Sequence, residues 1–215
     1  MSDPRLLRRR VIDLYTSSAL QRLYTRLKMW ILPLQDAAEG LPKRGLILDM
    51  GCGYGYVTNY LSLDSPARTI IANDPAADRI AVAQRTVGDR NIEFLAVDSR
   101  QIARADFDGI CVVDVLHHVP YADQQALIDD VYRKLKPGGR LVIRETAKRF
   151  AIRYFAFNCA LEWLLYIGQV HSRFRRTGEW ARMFEQAGFV IERVTPNPPW
   201  FPYTTCTFVC RKPGA

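Results

Sequence analysis

One stretch combines residue types and spacing in a way that suggests chemistry: LILDMGCGYGYVTNYL, Leu46 to Leu61, where an apolar run ends in Asp49 and opens into glycines at positions 51, 53 and 55. A glycine-rich turn between a strand and a helix lets backbone N–H groups come close to a ligand, because no Cβ blocks the approach. The dinucleotide-binding spacing G-x-G-x-x-G would require glycine at position 56, which is Tyr56. A carboxylate just ahead of the glycines suits a cationic amino-acid ligand better than a pyrophosphate.

Further candidates recur at the ends of apolar runs. Asp74 follows IIAN, 23 residues after Gly51, where an acidic side chain can accept both hydroxyls of a ribose. VDS places Asp98 and Ser99 at the next run's end, near where an adenine amino group would need an acceptor. DVLHHVP places Asp114, Val115, His117 and His118 at the following one. All four ends are expected in the crevice outside the carboxyl edge of a parallel sheet.

The elements that must position these residues follow from residues 45 to 146, where short β-branched runs alternate with helix-like segments. The runs are LILDM, RTIIAND, NIEFLAV, GICVVDV and RLVIRET; the intervening segments include GYVTNYLSL, AADRIAVAQRTV and ADQQALIDDVYRKLKPGG. Near-continuous apolar strands in β-α-β order predict a parallel sheet covered on both faces. TGEWARMFEQAGF then reads as a helix closed by Gly188, and VIERV and YTTCTFVCRK as two strands joined without a helix. The expected fold is therefore α/β: a seven-stranded, mostly parallel, doubly wound sheet whose last strand is antiparallel. Residues 1–44 read as two helices broken at Pro33, and 147–176 as a helical insert; together they are expected to form a lid on the domain spanning 45–215. The connection DSRQIARADFD carries no clear helical signal.

The ordered set ILDMGCGYG, IIANDPA, FLAVDS, FDGICVVDVLHHV and LKPGGRLVIRE resembles the class I methyltransferases that use S-adenosyl-L-methionine, especially the branch acting on small molecules such as ubiquinone precursors and polyketides. The resemblance implies that Asp49 and the backbone of Gly51, Cys52 and Gly53 hold the methionine part of the cofactor. It also implies Asp74 and Pro75 for the ribose side, Asp98 and Ser99 for adenine, and the Asp114–Val115 backbone for the amino group. Pro75 departs from the pattern, a hydrophobic residue being more usual after the acid. NPPW, Asn197 to Trp200, resembles the loop by which amino-methyltransferases hold a target nitrogen. It falls between the sixth and seventh strands instead of after the fourth, and reads more simply as a stiff hairpin connection.

Transfer to a phenol or a carbon acid would also need a base, and Glu145, His117, His118 and His171 are the candidates, Glu145 first because it ends the fifth strand. The aromatic insert, with Phe150, Tyr154, Phe155, Phe157, Trp163, Leu164 and Tyr166, points to a small hydrophobic acceptor. Its flanking Arg149, Arg153, Arg173, Arg175 and Arg176 suit peripheral contact with a membrane surface. The net charge of +8 is split, with +5 over residues 1–45, −3 over 46–143, +5 over 144–182 and +1 beyond. A basic balance also suits RNA or another nucleic acid, but no RNA-binding module is recognisable, so nucleic-acid modification is the weaker alternative. A third reading is a protein that binds the cofactor without catalysis. Five cysteines without a CxxC, and three histidines outside any zinc spacing, lead us to expect no metal and a reducing, cytoplasmic setting with free thiols.

Overall fold

The computed structural model describes residues 3–15, 19–88, 90–147, 173–197 and 204–214. Most of the aromatic insert, with its Arg149, Arg153 and His171, and residues 198–200 of NPPW lie outside the described residues.

Seven strands form one sheet: β1 (Gly45–Met50), β2 (Arg68–Asn73), β3 (Ile92–Leu95), β4 (Phe107–Val113), β5 (Leu135–Thr146), β6 (Val190–Pro196) and β7 (Thr205–Arg211), in the order β3-β2-β1-β4-β5-β7-β6. β7 runs antiparallel to both β5 and β6, while the pairs among β1 to β5 are parallel. The expected sheet is therefore found, with β7 inserted between β5 and an exposed edge strand, β6.

The helices are α1 (Pro4–Asp13), α2 (Ala19–Ile31), α3 (Leu34–Gly40), α4 (Tyr56–Asp64), α5 (Ala77–Gln84), α6 (Gln124–Lys134) and α7 (Thr177–Gln186). Strands β1, β4 and β7 are buried along most of their length because helices cover both faces, which is why they read as unbroken apolar runs. One core joins these strands to α6 and α7 through Ile128, Val131, Trp180 and Phe184. The other joins them to α1, α3 and α4 through Leu7, Val11, Leu34, Ala37, Val57 and Leu61.

Two details differ from the sequence reading. The N-terminal region holds three helices, because Pro33, lacking an N–H to continue α2, stands as the N-cap of a short α3. α1 and α3 bury their apolar faces in the second core, so they belong to the domain body. The ambiguous connection after β3 contains a single 3₁₀ turn, Ser99–Gln101, closed by a capping box in which Asp98 accepts from Arg100 N–H and Gln101 Oε1 accepts from Asp98 N–H.

Candidate active site

The carboxyl ends of β1 to β4 surround a cavity of about 720 Å³. Asp49, Gly51, Cys52, Gly53, Asp74, Pro75, Asp98, Ser99, Asp114 and Val115 all line it, as does His118. Its apolar walls come from Leu32, Tyr54, Tyr56, Val57, Val113 and Leu127.

The glycine loop takes its shape from left-handed backbone at Gly51 (φ 73°) and Gly53 (φ 54°). A Cβ at Gly51 would run into the Val115 side chain, whereas one at Gly53 would meet nothing within 4 Å. Gly53 thus leaves open the space in which a ligand would lie. The N–H groups of this loop are already engaged: Gly51 and Cys52 donate to Asn73 O at 2.8 and 2.9 Å, Gly53 to Asp74 Oδ2 at 3.0 Å and Gly55 to Cys52 O at 2.9 Å. The sequence reading had these amides approaching a ligand. In the structure the Gly51, Cys52 and Gly53 amides tie the loop to the end of β2, Gly55 closes the loop on itself, and a pyrophosphate finds no spare donors on these four residues.

The charge of the site has the opposite preference. Asp49 is buried at 1% exposure and accepts a hydrogen bond from the Thr58 hydroxyl, and Asp74 is buried at 6%. Among the described residues neither carboxylate forms an ion pair. Burial pushes the Asp49 carboxyl up from the ordinary 3.8 to about 6, with Thr58 opposing the shift and the Asp74 charge adding to it. A pair of buried acids that forms no ion pair among the described residues fits a ligand that brings its own positive charge, and the amino and sulfonium groups of S-adenosylmethionine meet that requirement.

The same burial has a stability consequence. The folded protein holds the Asp49 proton more tightly than the unfolded chain, so the penalty is absent below pH 3.8, grows as pH rises through 6 and is full above it. Asp49→Asn should therefore stabilise the ligand-free protein by about 1–3 kcal/mol at pH 8 and by little at pH 4, as read from urea unfolding midpoints at the two pH values.

Asp98 is fixed by its neighbour. Both of its oxygens receive Arg100 guanidinium N–H groups at 2.9 Å, and Arg100 holds the carboxyl down at about 2. Asp98 thus caps the 3₁₀ turn while keeping an edge on the cavity. The thiol of Cys52 is pushed up by burial, then by Asp49 and Asp74, and stays protonated.

At the end of β4 the backbone turns at Asp114, the one non-glycine among the described residues with positive φ, 58°. Its carboxylate receives Arg144 Nε at 3.0 Å and also the Nη2 of that residue, and Arg144 donates further to Ile31 O at the end of α2. Burial pushes the Asp114 carboxyl up, but the Arg144 charge prevails and holds it below the ordinary range.

Glu145 departs most from expectation. Successive strand residues point to opposite faces, so where Arg144 turns toward α2, Glu145 turns away beneath the loop after β4. It is 0% exposed and does not line the cavity. Its Oε1 accepts from Val115 N–H (3.0 Å) and Leu116 N–H (2.7 Å), and its Oε2 from His117 N–H (3.3 Å) and His117 Nδ1 (2.7 Å). A carboxylate so engaged shapes the 3₁₀ turn Leu116–His118 that carries the cavity residues and is not a base facing the crevice. His117, 2% exposed, is bound into the same arrangement and is likewise absent from the cavity wall.

His118 does face the cavity. Burial, then the His117 charge, holds its imidazole down at about 4, so the ring is neutral near pH 7, a hydrogen-bond acceptor but a weak base. Of the three proposed bases among the described residues, Glu145, His117 and His118, only His118 lines the cavity.

Sequence reasoning missed Tyr24, Lys28 and Arg79, which also line the cavity. Tyr24 and Lys28 are four residues apart on α2, a spacing that shares one helical face, but an isolated Tyr-Lys pair carries no signal of what that face meets. The Lys28 ammonium is held down by burial, with Asp114 opposing and Arg144 and Arg79 adding.

A family model described as a methyltransferase domain matches residues 10–194. A demethylmenaquinone methyltransferase of Thermus thermophilus is 33% identical over 51% of this chain and 50% of its own length. A sphingolipid C9-methyltransferase B of Emericella nidulans is 26% identical over 72% of this chain and 31% of its own length. The chain thus spans half or less of the length of these two curated relatives. Among solved structures, a SAM-dependent methyltransferase of Methanosarcina mazei superposes with a TM-score of 0.68 at 17% identity, covering 86% of this chain and 99% of that one.

Proposed function

The chain belongs to the family of S-adenosylmethionine-dependent methyltransferase domains, and from that premise we propose that it transfers a methyl group to oxygen or carbon of a hydrophobic small molecule. The observation that carries this reading is the cavity itself, in which buried Asp49 and Asp74, in no ion pair among the described residues, share about 720 Å³ with walls of Tyr54, Tyr56, Val57, Val113 and Leu127. The curated relatives support the acceptor class, since their names specify a quinone and a lipid.

When bound, the cofactor supplies an electrophilic methyl group. In this reading Asp74 accepts the ribose hydroxyls, and its own orientation is fixed by the Gly53 and Ala76 amides, the latter at 2.9 Å. Asp49 offers negative charge to the amino-acid end. Asp98 and Ser99 border the adenine end. Val115 stands on the turn that Glu145 holds in place, and His118 accepts a hydrogen bond from an acceptor hydroxyl and orients it. The apolar walls exclude water and orient the acceptor.

The test is calorimetric titration with S-adenosylmethionine, S-adenosylhomocysteine and NAD in parallel, followed by methyl-transfer assays on phenols, quinone precursors and lipids. We expect both adenosyl compounds to bind, NAD not to bind, and turnover on at least one apolar acceptor. Binding of NAD alone would overturn the reading. Turnover confined to RNA, with acceptor affinity falling steeply as salt rises, would move it to nucleic-acid modification.

A further inference from the structure

The helix that lines the cavity also carries an apolar stripe on its solvent side. Leu23, Leu27 and Trp30 of α2 are exposed at 64%, 43% and 54%. Their spacing of four and three residues places them on one face, about a quarter turn from Tyr24 and Lys28, which face the cavity. The fold does not bury this stripe, although Thr25 and Met29 of the same helix are buried at 0% and 2%.

The charges on α2 itself are all positive. Arg22 and Arg26, each one residue ahead of a stripe leucine, are exposed. Arg22 makes a loose surface ion pair with Asp13 at 3.7 Å. No Asp or Glu occurs between Asp13 and Asp36, while α1 adds exposed Arg5, Arg9 and Arg10. A helix with leucines and a tryptophan on one face and arginines at its border has the composition that lies in the plane of an anionic bilayer surface. No helix among the described residues is long and apolar enough to cross a membrane, so this contact would be peripheral.

We propose that α2 docks the protein on an anionic lipid surface through Leu23 and Leu27, with Arg22 and Arg26 meeting the headgroups, so that the cavity opens beside the membrane. The proposal rests on the hydrophobic-acceptor reading for its purpose, because an acceptor dissolved in a bilayer then reaches Tyr24, Lys28 and Leu32 without crossing water. It does not rest on that reading for its test. The docking helix is distinct from the aromatic insert, where the sequence alone pointed.

The experiment is co-sedimentation of the full chain with vesicles of phosphatidylcholine alone and of equal parts phosphatidylcholine and phosphatidylglycerol. S-adenosylmethionine affinity is measured on the same preparations. We expect binding to the anionic vesicles and a fall of more than about tenfold in the L23E/L27E variant. These are exposed positions, so the variant should keep its unfolding midpoint and cofactor affinity. R22E/R26E should lose the preference for anionic over neutral vesicles. Absence of binding to both vesicle types, or binding unchanged in L23E/L27E, would overturn the proposal. So would a dimer that L23E/L27E converts to monomer, since the stripe would then be covered by a second copy. A protein that binds vesicles but neither adenosyl compound would instead indict the functional reading.

Discussion

Glu145→Ala is expected to destabilise the protein by about 3–5 kcal/mol, shown as a large drop in the urea midpoint. The substitution strips the acceptor from three backbone N–H groups and from the His117 ring, all within a turn where Leu116, His117 and Glu145 are buried. The buried Leu116 and His117 donors have no water to turn to, so each retains its desolvation penalty. Glu145→Gln keeps the shape and two acceptor lone pairs, but its amide group must face donors, and it should recover only part of the loss. A base at this position would give a different pattern, with turnover lost and the unfolding midpoint unchanged in the alanine variant. That pattern would refute the positioning role.

Asp74→Ala should weaken S-adenosylmethionine binding by more than about tenfold, because it removes a charge-assisted contact to the ribose. It also removes the acceptor of Gly53 N–H and Ala76 N–H, and with them the anchor of the glycine loop. Asp74→Asn separates the two effects. Its carbonyl can still receive one of the amides, while the negative charge that suits a cationic ligand is gone. Titration calorimetry on variants that retain the wild-type circular dichroism spectrum checks both, and an unchanged affinity in a folded Asp74→Ala protein would remove this residue from the site.

The two carboxylates beside the glycine loop illustrate how such a site trades stability for ligand charge. Asp49 is held in the fold with its proton bound more tightly than in the unfolded chain, a state the Thr58 hydrogen bonds relieve only in part. Arg144, the buried arginine near the same cavity, is committed to Asp114 and to the end of α2. Among the described residues no ion pair reaches Asp49, although Lys28 and Arg79 line the same cavity, so a cationic ligand would supply a charge that no described ion pair gives it.

Much of this was legible in the residues themselves. Alternating apolar runs and helical segments determined the seven strands and the antiparallel last one, because a strand covered on both faces must be apolar throughout and two strands without a helix between them return as a hairpin. The same runs ended in Asp49, Asp74, Asp98 and Asp114, and a parallel sheet brings its strand ends to one edge, so their shared cavity followed from order alone. Direction and partnership were not legible. Glu145 and Arg144 are adjacent in sequence, and only the pairing of β4 with β5, Val113 opposite Arg144, decides that one clamps Asp114 while the other closes the turn beneath it. The same holds for His117 and His118, which the 3₁₀ turn sends to the interior and to the cavity, and for α2, whose Leu23, Leu27 and Trp30 only packing leaves on the outside. Local sequence dictates which faces are apolar and where strands end. Which polar group meets which, across some thirty residues of chain, is determined by register and burial, and those exist only once the sheet has formed.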